Sequence, residues 1–345
     1  MARTIRFSGA INEAMKLAMR ADENVILMGE DVAGGAQIDH LQDDEAWGGV
    51  LGVTKGLVQE FGRDRVLDTP ISEAGYVGAA MAAAATGLRP IAELMFNDFI
   101  GSCLDQVMNQ GAKFRYMFGG KAEVPVTIRT MHGAGFRAAA QHSQSLYALF
   151  THLPGVKVVV PSTPYDAKGL LLTAIADNDP VFFFEDKTLY NLTGEVPEGH
   201  YTIPLGKADI KRSGKDLTIV AIGKQVHTAL EAADMLAKKG IEAEVVDPRS
   251  LSPLDEDTIL ASVAKTNRLI VIDEANPRCS VASDIAAIVA EKGFDTLDAP
   301  IKRITAPHTP VPFSPPLEDL YLPSPQKVLE AVSELIGDAS IMAVS

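Results

Sequence analysis

Glu73 stands where a polar stretch gives way to a smooth one. In ISEAGYVGAAMAAAATG, from Ile71, one carboxylate precedes a run of alanine, glycine, methionine and few larger residues. A first-turn acid gains about 0.3–1 kcal/mol from the helix macrodipole, so position alone describes an ordinary helix start. The helix behind it argues for more, because sides this small let another backbone or a flat ligand approach closely. His142 lies in GFRAAAQHSQSL, after Gly133 and Gly135, where small residues describe a loop that leaves the ring accessible. A lone histidine is often a buried residue with a satisfied partner. It is also the side chain best suited to moving protons near neutral pH. His132 and His152 have weaker settings. Phe99, in MFNDFIGSC, follows a strand-like run, and spacing alone assigns it to a core.

Around these residues the usual self-contained sites are missing. No G-x-G-x-x-G follows the first strand-like segment, and AIGKQVHTA lacks the spaced glycines and Ser/Thr of a P-loop. G-x-S-x-G and H-E-x-x-H are also absent. An organised chain without a complete site suggests chemistry shared with another polypeptide.

The elements that must position these side chains read as alternating strands and helices. Ile11, Ala14, Met15 and Ala18 follow helical spacing, with Ser8 as the expected cap. VILMGED reads as a buried strand ending in Glu30 and Asp31; RPIAELMFNDF and VPVTIRTMHGAG read as further strands. The alanine-rich segment after Glu73 and SCLDQVMNQGAKFRYM read as helices, and GVKVVVPSTPYDAKGLLLTAIADNDPVFFFED as a strand–helix–strand unit. The pattern predicts an α/β protein with mostly parallel sheets and helices on both faces. Periodicity lapses in NLTGEVPEGHYTIPLGKA and restarts at DLTIVAIG, so a first domain is expected over 1–195, a linker over 196–206, a second, smaller domain over 207–337 and a flexible tail over 338–345.

The 345 residues suit two domains, and 47% hydrophobic with 22% charged residues is a globular composition. A net charge of -14 argues against a nucleic-acid partner, which needs clustered lysine and arginine. Cys103 and Cys279 give neither a disulfide framework nor zinc spacing, so a reducing cytoplasm is expected. The first residues lack the apolar core of a signal peptide, and no apolar run approaches the roughly 20 residues that span a bilayer. A soluble protein without membrane association is the expectation.

In order along nearly the whole chain, GEDV, VTKGL, LDTPISEAGYVGAA, GLRPIAELMF, DQVMNQGAKFRYM, AAAQHSQ, GVKVVVPSTPYDAKGLL and IADNDPV resemble the beta subunits of thiamine-diphosphate-dependent 2-oxo acid dehydrogenases. VVDPRSLSPLDEDTI extends the resemblance into the second domain. The long EDVAGGAQIDHLQDDEAWGGVLGVTKGL around Trp47, with MFGGKAEVPVTIRTMHGAGFRAAAQHSQ, is most similar to the acetoin dehydrogenase branch of that family.

The resemblance implies two doubly wound domains of the transketolase pyrimidine-binding and C-terminal types. It implies that Glu73 hydrogen-bonds the ring nitrogen of the cofactor's aminopyrimidine, that Phe99 packs against that ring, and that His142 handles protons on the substrate and helps receive a lipoyl group. It implies a potassium ion held mainly by carbonyl oxygens at Val126, Ala174, Ile175, Asp177 and Asp179, the last standing where the family has asparagine. The family's Gly-Asp-Gly motif for diphosphate and magnesium is absent here and belongs to the alpha subunit. An α2β2 heterotetramer, with thiamine diphosphate shared between alpha and beta chains and a lipoyl acyltransferase as further partner, is therefore implied. The implied reaction is cleavage of acetoin to acetaldehyde with transfer of an acetyl group to lipoamide. Oxidative decarboxylation of pyruvate or another 2-oxo acid is the alternative reading, and a non-catalytic paralogue is more distant because both ISE and QHSQ are intact.

Overall fold

The computed structural model describes residues 2–34 and 47–342. Residues 35–46 of the long loop before and around Trp47, and 343–345 of the expected tail, lie outside the described residues. Contacts divide the chain into two compact units. The first comprises residues up to His132 together with Leu149–Leu205, and the second comprises Gly133–Ala148 together with residues from Gly206 onward. The boundary after Leu205 lies within the stretch expected as a linker. The segment Gly133–Ala148, which sequence reasoning leaves in the first domain, packs with the second unit instead.

In chain order the first half contains β1 (Ala2–Arg6), α1 (Phe7–Ala21), β2 (Val25–Gly29), α2 (Leu57–Phe61), β3 (Val66–Asp68), α3 (Glu73–Ala85), β4 (Arg89–Phe96), α4 (Ile100–Asp105) and α5 (Ala112–Met117). It continues with β5 (Thr127–His132), α6 (Tyr147–Thr151), β6 (Lys157–Val159), α7 (Pro164–Ala176), β7 (Val181–Asp186) and β8 (Thr193–Pro197). The sheet of this unit runs β6-β7-β5-β4-β2-β3, every pair parallel. Strands β2, β5 and β7 are buried along their whole length; VILMG and VFFF read accordingly as near-continuous apolar runs, whereas TIRTMH interleaves buried polar residues, Arg129 among them. Helix α1 buries Phe7, Ala10, Ile11, Ala14, Met15 and Ala18, a single stripe at helical spacing.

Two details depart from the sequence expectations. Ser8 is not the cap of α1: Arg6 occupies that position, and the Ser8 hydroxyl donates to the Tyr190 carbonyl at 3.0 Å. The cause is β1, which pairs antiparallel with β8 from Ala2↔Pro197 to Arg6↔Thr193 and hands the chain straight into the helix. The expected linker is partly structured for the same reason. Beyond β8, Ile203 is buried in the first core, and its N–H donates to the Gly169 carbonyl at 3.2 Å.

The second unit contains β9 (Asp209–Arg212), β10 (Leu217–Ala221), α8 (Gln225–Ala237), β11 (Ala243–Asp247), β12 (Ser250–Ser252), α9 (Glu256–Thr266), β13 (Leu269–Asp273), α10 (Val281–Lys292), β14 (Lys302–Thr305), α11 (Pro315–Tyr321) and α12 (Pro325–Ile336). Its sheet runs β14-β13-β10-β11-β9, parallel except for β9 against β11. Side-chain caps start several helices: Asp255 accepts from Thr258 N–H, Ser280 from Ser283 N–H and Ser324 from Lys327 N–H. The tail expected from 338 onward is ordered through Met342 as a 3-10 turn, because Ile341 is buried in the second core and the Ser333 hydroxyl donates to the Asp338 carbonyl at 2.9 Å. Among the described residues no helix is long and apolar enough to cross a membrane.

Candidate active site

In an open parallel sheet the strands all end on one edge, and ligands bind there, where the strand order reverses direction. In the first unit that strand is β2: the chain passes from it to β3 on one side, then to β4 on the other. Glu30 directly follows β2, Glu73 opens the helix after β3, and Phe99 lies just beyond β4. Glu73 and Phe99 are therefore brought to the same edge of the same sheet, both half-buried. The Phe99 ring meets Phe96 edge-on, with centroids 5.6 Å apart at 76°.

The acids at this edge feel one another. Glu30 is 8% exposed, and its Oε1 is buried without a hydrogen-bond partner among the described residues. Burial first, then the charges of Glu73, Asp31 and Glu93, push its carboxyl up to about 7. Burial and then Glu73 push the Cys103 thiol up to about 12, so this cysteine is no thiolate at neutral pH. Tyr76 is buried on α3 and donates from its hydroxyl to the Glu93 carbonyl at 3.1 Å. Glu30 is the residue sequence reasoning missed as a site candidate; the signal was two acids closing a buried apolar strand.

Small residues let this edge pack tightly. A Cβ on Gly75 would meet Ser72 Oγ at 2.8 Å, and one on Gly78 would meet Gln106 Cγ at 3.1 Å. Gln106 opens a π-helical turn, Gln106–Gly111, set between α4 and α5. A Cβ on Gly111 would strike Met81 Sδ at 2.5 Å. Beside this turn, Gly78, Met81, Ala82, Ala85, Phe114 and Val124 contribute to a groove of about 170 Å³.

Beneath the edge lies a buried ion network whose geometry follows from register. Glu93 on β4 lies opposite Arg129 on β5, and Glu185 on β7 is two residues beyond Arg129's opposite number, Phe183, so all three share a face. The Arg129 guanidinium donates to Glu185 at 2.7 and 2.9 Å and to Glu93 at 2.8 Å, and the Tyr190 hydroxyl donates to Glu185 at 2.6 Å. One cation between two carboxylates leaves an excess negative charge. Burial, opposed by Arg129 and reinforced by Glu185, accordingly raises the Glu93 carboxyl.

The five residues expected at a potassium site lie at the opposite edge, where β5 and β7 begin. Several of their oxygens accept a hydrogen bond or an ion pair. The Val126 carbonyl accepts from Val181 N–H at 3.0 Å and that of Ala174 from Asp177 N–H at 3.2 Å. The Arg89 guanidinium donates to the carbonyls of Ile175 at 3.3 Å and Asp177 at 3.1 Å. Lys157 pairs with the Asp177 carboxylate at 2.7 Å, and Arg115 pairs with Asp179. Side-chain cations thus supply the positive charge at this turn. A carbonyl oxygen that accepts one hydrogen bond keeps a second lone pair, so these contacts and a cation at the same turn are compatible.

His142 lies in the second unit, half-buried, on a short 3-10 turn of the Gly133–Ala148 segment. Gly133 N–H donates to the Gln144 carbonyl at 3.0 Å and closes the loop. Arg137 and Ala139 both hold φ of 61°, a left-handed backbone that costs about 1–2 kcal/mol for such residues. A cavity of about 440 Å³ runs alongside, lined by Gln141, Gln144, Ser145, Glu274, His308 and Tyr321 among others.

Residues 3–193 match the family model described as the transketolase pyrimidine binding domain, and 206–328 match the transketolase C-terminal domain. The chain is 79% identical to the acetoin:2,6-dichlorophenolindophenol oxidoreductase subunit beta of Bacillus subtilis (strain 168), over 99% of this chain and 100% of that one. The chain belongs to the beta-subunit family of acetoin and 2-oxo acid dehydrogenases. Within the family it is 46% identical to the pyruvate dehydrogenase E1 component subunit beta of the same organism, over 95% of this chain and 97% of that one. A solved structure titled "Split gene transketolase, inactive beta4 tetramer" has the same fold, with a TM-score of 0.75, 22% identity and coverage of 96% and 98% of the two chains. The two-domain α/β architecture expected from the sequence is the architecture of this family.

Proposed function

We propose that this chain is the beta subunit of an acetoin-cleaving, thiamine-diphosphate-dependent oxidoreductase, active in an α2β2 assembly with an alpha chain that supplies the magnesium and diphosphate half of the site. The observation that carries the reading is Glu73, a half-buried carboxylate opening a small-sided helix at the carboxyl edge of the parallel sheet, among other acids. A buried acceptor without a partner among the described residues, Glu30 Oε1, supports reading the same edge as one that receives donor groups. An amine-bearing heterocycle fits those residues. The acetoin substrate is supported by the 79% identical relative, whose name carries that activity; the pyruvate dehydrogenase subunit stands at 46%.

When bound, thiamine diphosphate supplies an acidified ring carbon that adds to a ketone and takes up the electrons of the cleaved carbon–carbon bond. Glu73 would accept a hydrogen bond from the protonated pyrimidine nitrogen, a charge-assisted contact strengthened where water is excluded. Phe99 would pack on the ring. His142 would move a proton at the substrate oxygens and meet the lipoyl group. The balance is acetoin plus lipoyl disulfide giving acetaldehyde plus an S-acetyl dihydrolipoyl group, carried by the acyltransferase. Tyr76 and Cys103 are both held protonated near neutral pH, whereas the Glu30 carboxyl, pushed up to about 7, exchanges protons there.

Reconstitution with the alpha chain and thiamine diphosphate, followed by dye reduction with acetoin or pyruvate, tests the reading. Acetoin is expected to be the faster substrate by kcat/KM. Turnover of pyruvate alone would contradict it.

A further inference from the structure

The second unit has a carboxyl edge of its own, with β10 at the reversal of strand order, since β11 and β13 flank it. That is where a doubly wound sheet ordinarily receives a ligand. Here the residues at that edge grip a protein loop, the one bearing His142.

Glu274, directly after β13, accepts from the Ser145 hydroxyl at 2.6 Å, from Ala134 N–H at 3.3 Å and from the Gln225 amide at 3.2 Å. Lys224, just after β10, donates to the Ala134 carbonyl at 2.9 Å and lies 3.6 Å from Glu274. Asp273 accepts from the Tyr147 hydroxyl. From α11, Glu318 accepts from Gly135 N–H at 2.6 Å and from the Arg137 guanidinium at 2.7 Å. Glu318 is fully buried, so this pair resists solvent screening on one side. Ala134 adds an apolar contact with Ala306, Val311 and Tyr321.

The contacts fall on both sides of His142, at 134–137 and at 145–147. Between them lie the strained Arg137 and Ala139. A loop in that conformation persists only when its surroundings over-determine it.

We propose that Glu318 and Glu274 are positioning residues for His142: the carboxyl edge of the second unit holds the loop so that the imidazole meets the substrate in one orientation. The inference rests on the proton-transfer role given to His142 above. It assigns to the C-terminal unit a part in turnover, exerted through residues that touch neither cofactor nor substrate. A misplacement near 1 Å can cost on the order of a hundredfold in rate, so loosening the grip should appear in kcat.

The test uses the alpha–beta complex loaded with thiamine diphosphate and assayed with acetoin. Glu318→Gln and Arg137→Met are expected to lower kcat by about ten- to hundredfold, with KM and cofactor affinity within about twofold of wild type. Ser145→Ala, which removes one donor to Glu274, should lower kcat by a few-fold. Arg137→Lys should recover part of what Arg137→Met loses. Combined with His142→Asn, each variant should add no further loss, because both act on one group. Arg137 is partly exposed, so its variants decide the matter if Glu318→Gln fails to fold. Losses that multiply with His142→Asn, or that reside in KM, overturn this proposal alone. An unchanged kcat for His142→Asn overturns the reading of His142 and this proposal with it.

Discussion

Two groups of acids sit at opposite edges of the first unit's sheet, and their electrostatic balance is opposite. At the amino edge, Asp177 and Asp179 are matched by Lys157, Arg115 and, through neighbouring carbonyls, Arg89. At the carboxyl edge, the charges of Glu73, Asp31 and Glu93 act on the buried Glu30, Arg129 is shared between Glu93 and Glu185, and the buried Lys187 lies over the Phe96 ring rather than beside Glu30. Matched acids secure a turn. A buried acid without a matching cation, as Glu30 is, holds a proton and leaves an acceptor unused among the described residues, which is the condition for binding a donor and transferring protons. The same residue type thus has different work at the two edges, and the partners decide which.

The largest effect should come from breaking the unmatched side. Glu73→Gln keeps the shape of the side chain but removes the carboxylate, and acetoin turnover by the alpha–beta complex is expected to fall by about a hundred- to ten-thousandfold. The fold should survive, because Glu73 is only half-buried at a helix start. Next comes Arg129→Met, which strands two buried carboxylates; denaturant unfolding should register a loss of about 3–5 kcal/mol.

A smaller effect sharpens the contrast by pH. Glu30 ionises near 4.5 in the unfolded chain and near 7 in the fold, so the folded state binds the extra proton between those values. Stability associated with this group is therefore present at low pH and lost as pH rises through about 7. Glu30→Gln should raise the melting temperature by a few degrees at pH 8 and leave it unchanged at pH 4. An equal shift at both values would mean that packing, not ionisation, is at work. The smallest effect is expected at the matched edge. Replacing potassium with sodium in the buffer should move the melting temperature by less than about 1 °C, and a potassium-specific gain of several degrees would show that side-chain cations do not complete that turn.

Much of this was legible in the sequence, and the gaps have physical causes. Buried parallel strands announce themselves as apolar runs, so β2, β4, β7, β10 and β13 could be read directly, as could the place of Glu73 at the start of a small-sided helix. Strands β1 and β8 could not, because ARTIR and TGEVP lack alternation and become strands only by finding each other far along the chain, Ala2 against Pro197 at one end and Arg6 against Thr193 at the other. The role of Arg129 was hidden inside an ordinary strand, since its charge is accounted for only by register with Glu93 and Glu185. The attachment of the His142 loop was likewise out of reach, because its anchors, Glu274 and Glu318, lie far along the chain and mark no motif. Ile341 looked like part of a fraying end until the core that buries it was in view.

The central claim is that the Glu73 carboxylate sets the protonation of the cofactor's pyrimidine. Quenched-flow measurement of deuterium exchange at C2 of thiamine diphosphate bound to the alpha–beta complex addresses it without any substrate. The account predicts an exchange rate at least about a hundredfold slower in Glu73→Gln than in wild type with the cofactor still bound; equal rates in the two would contradict it.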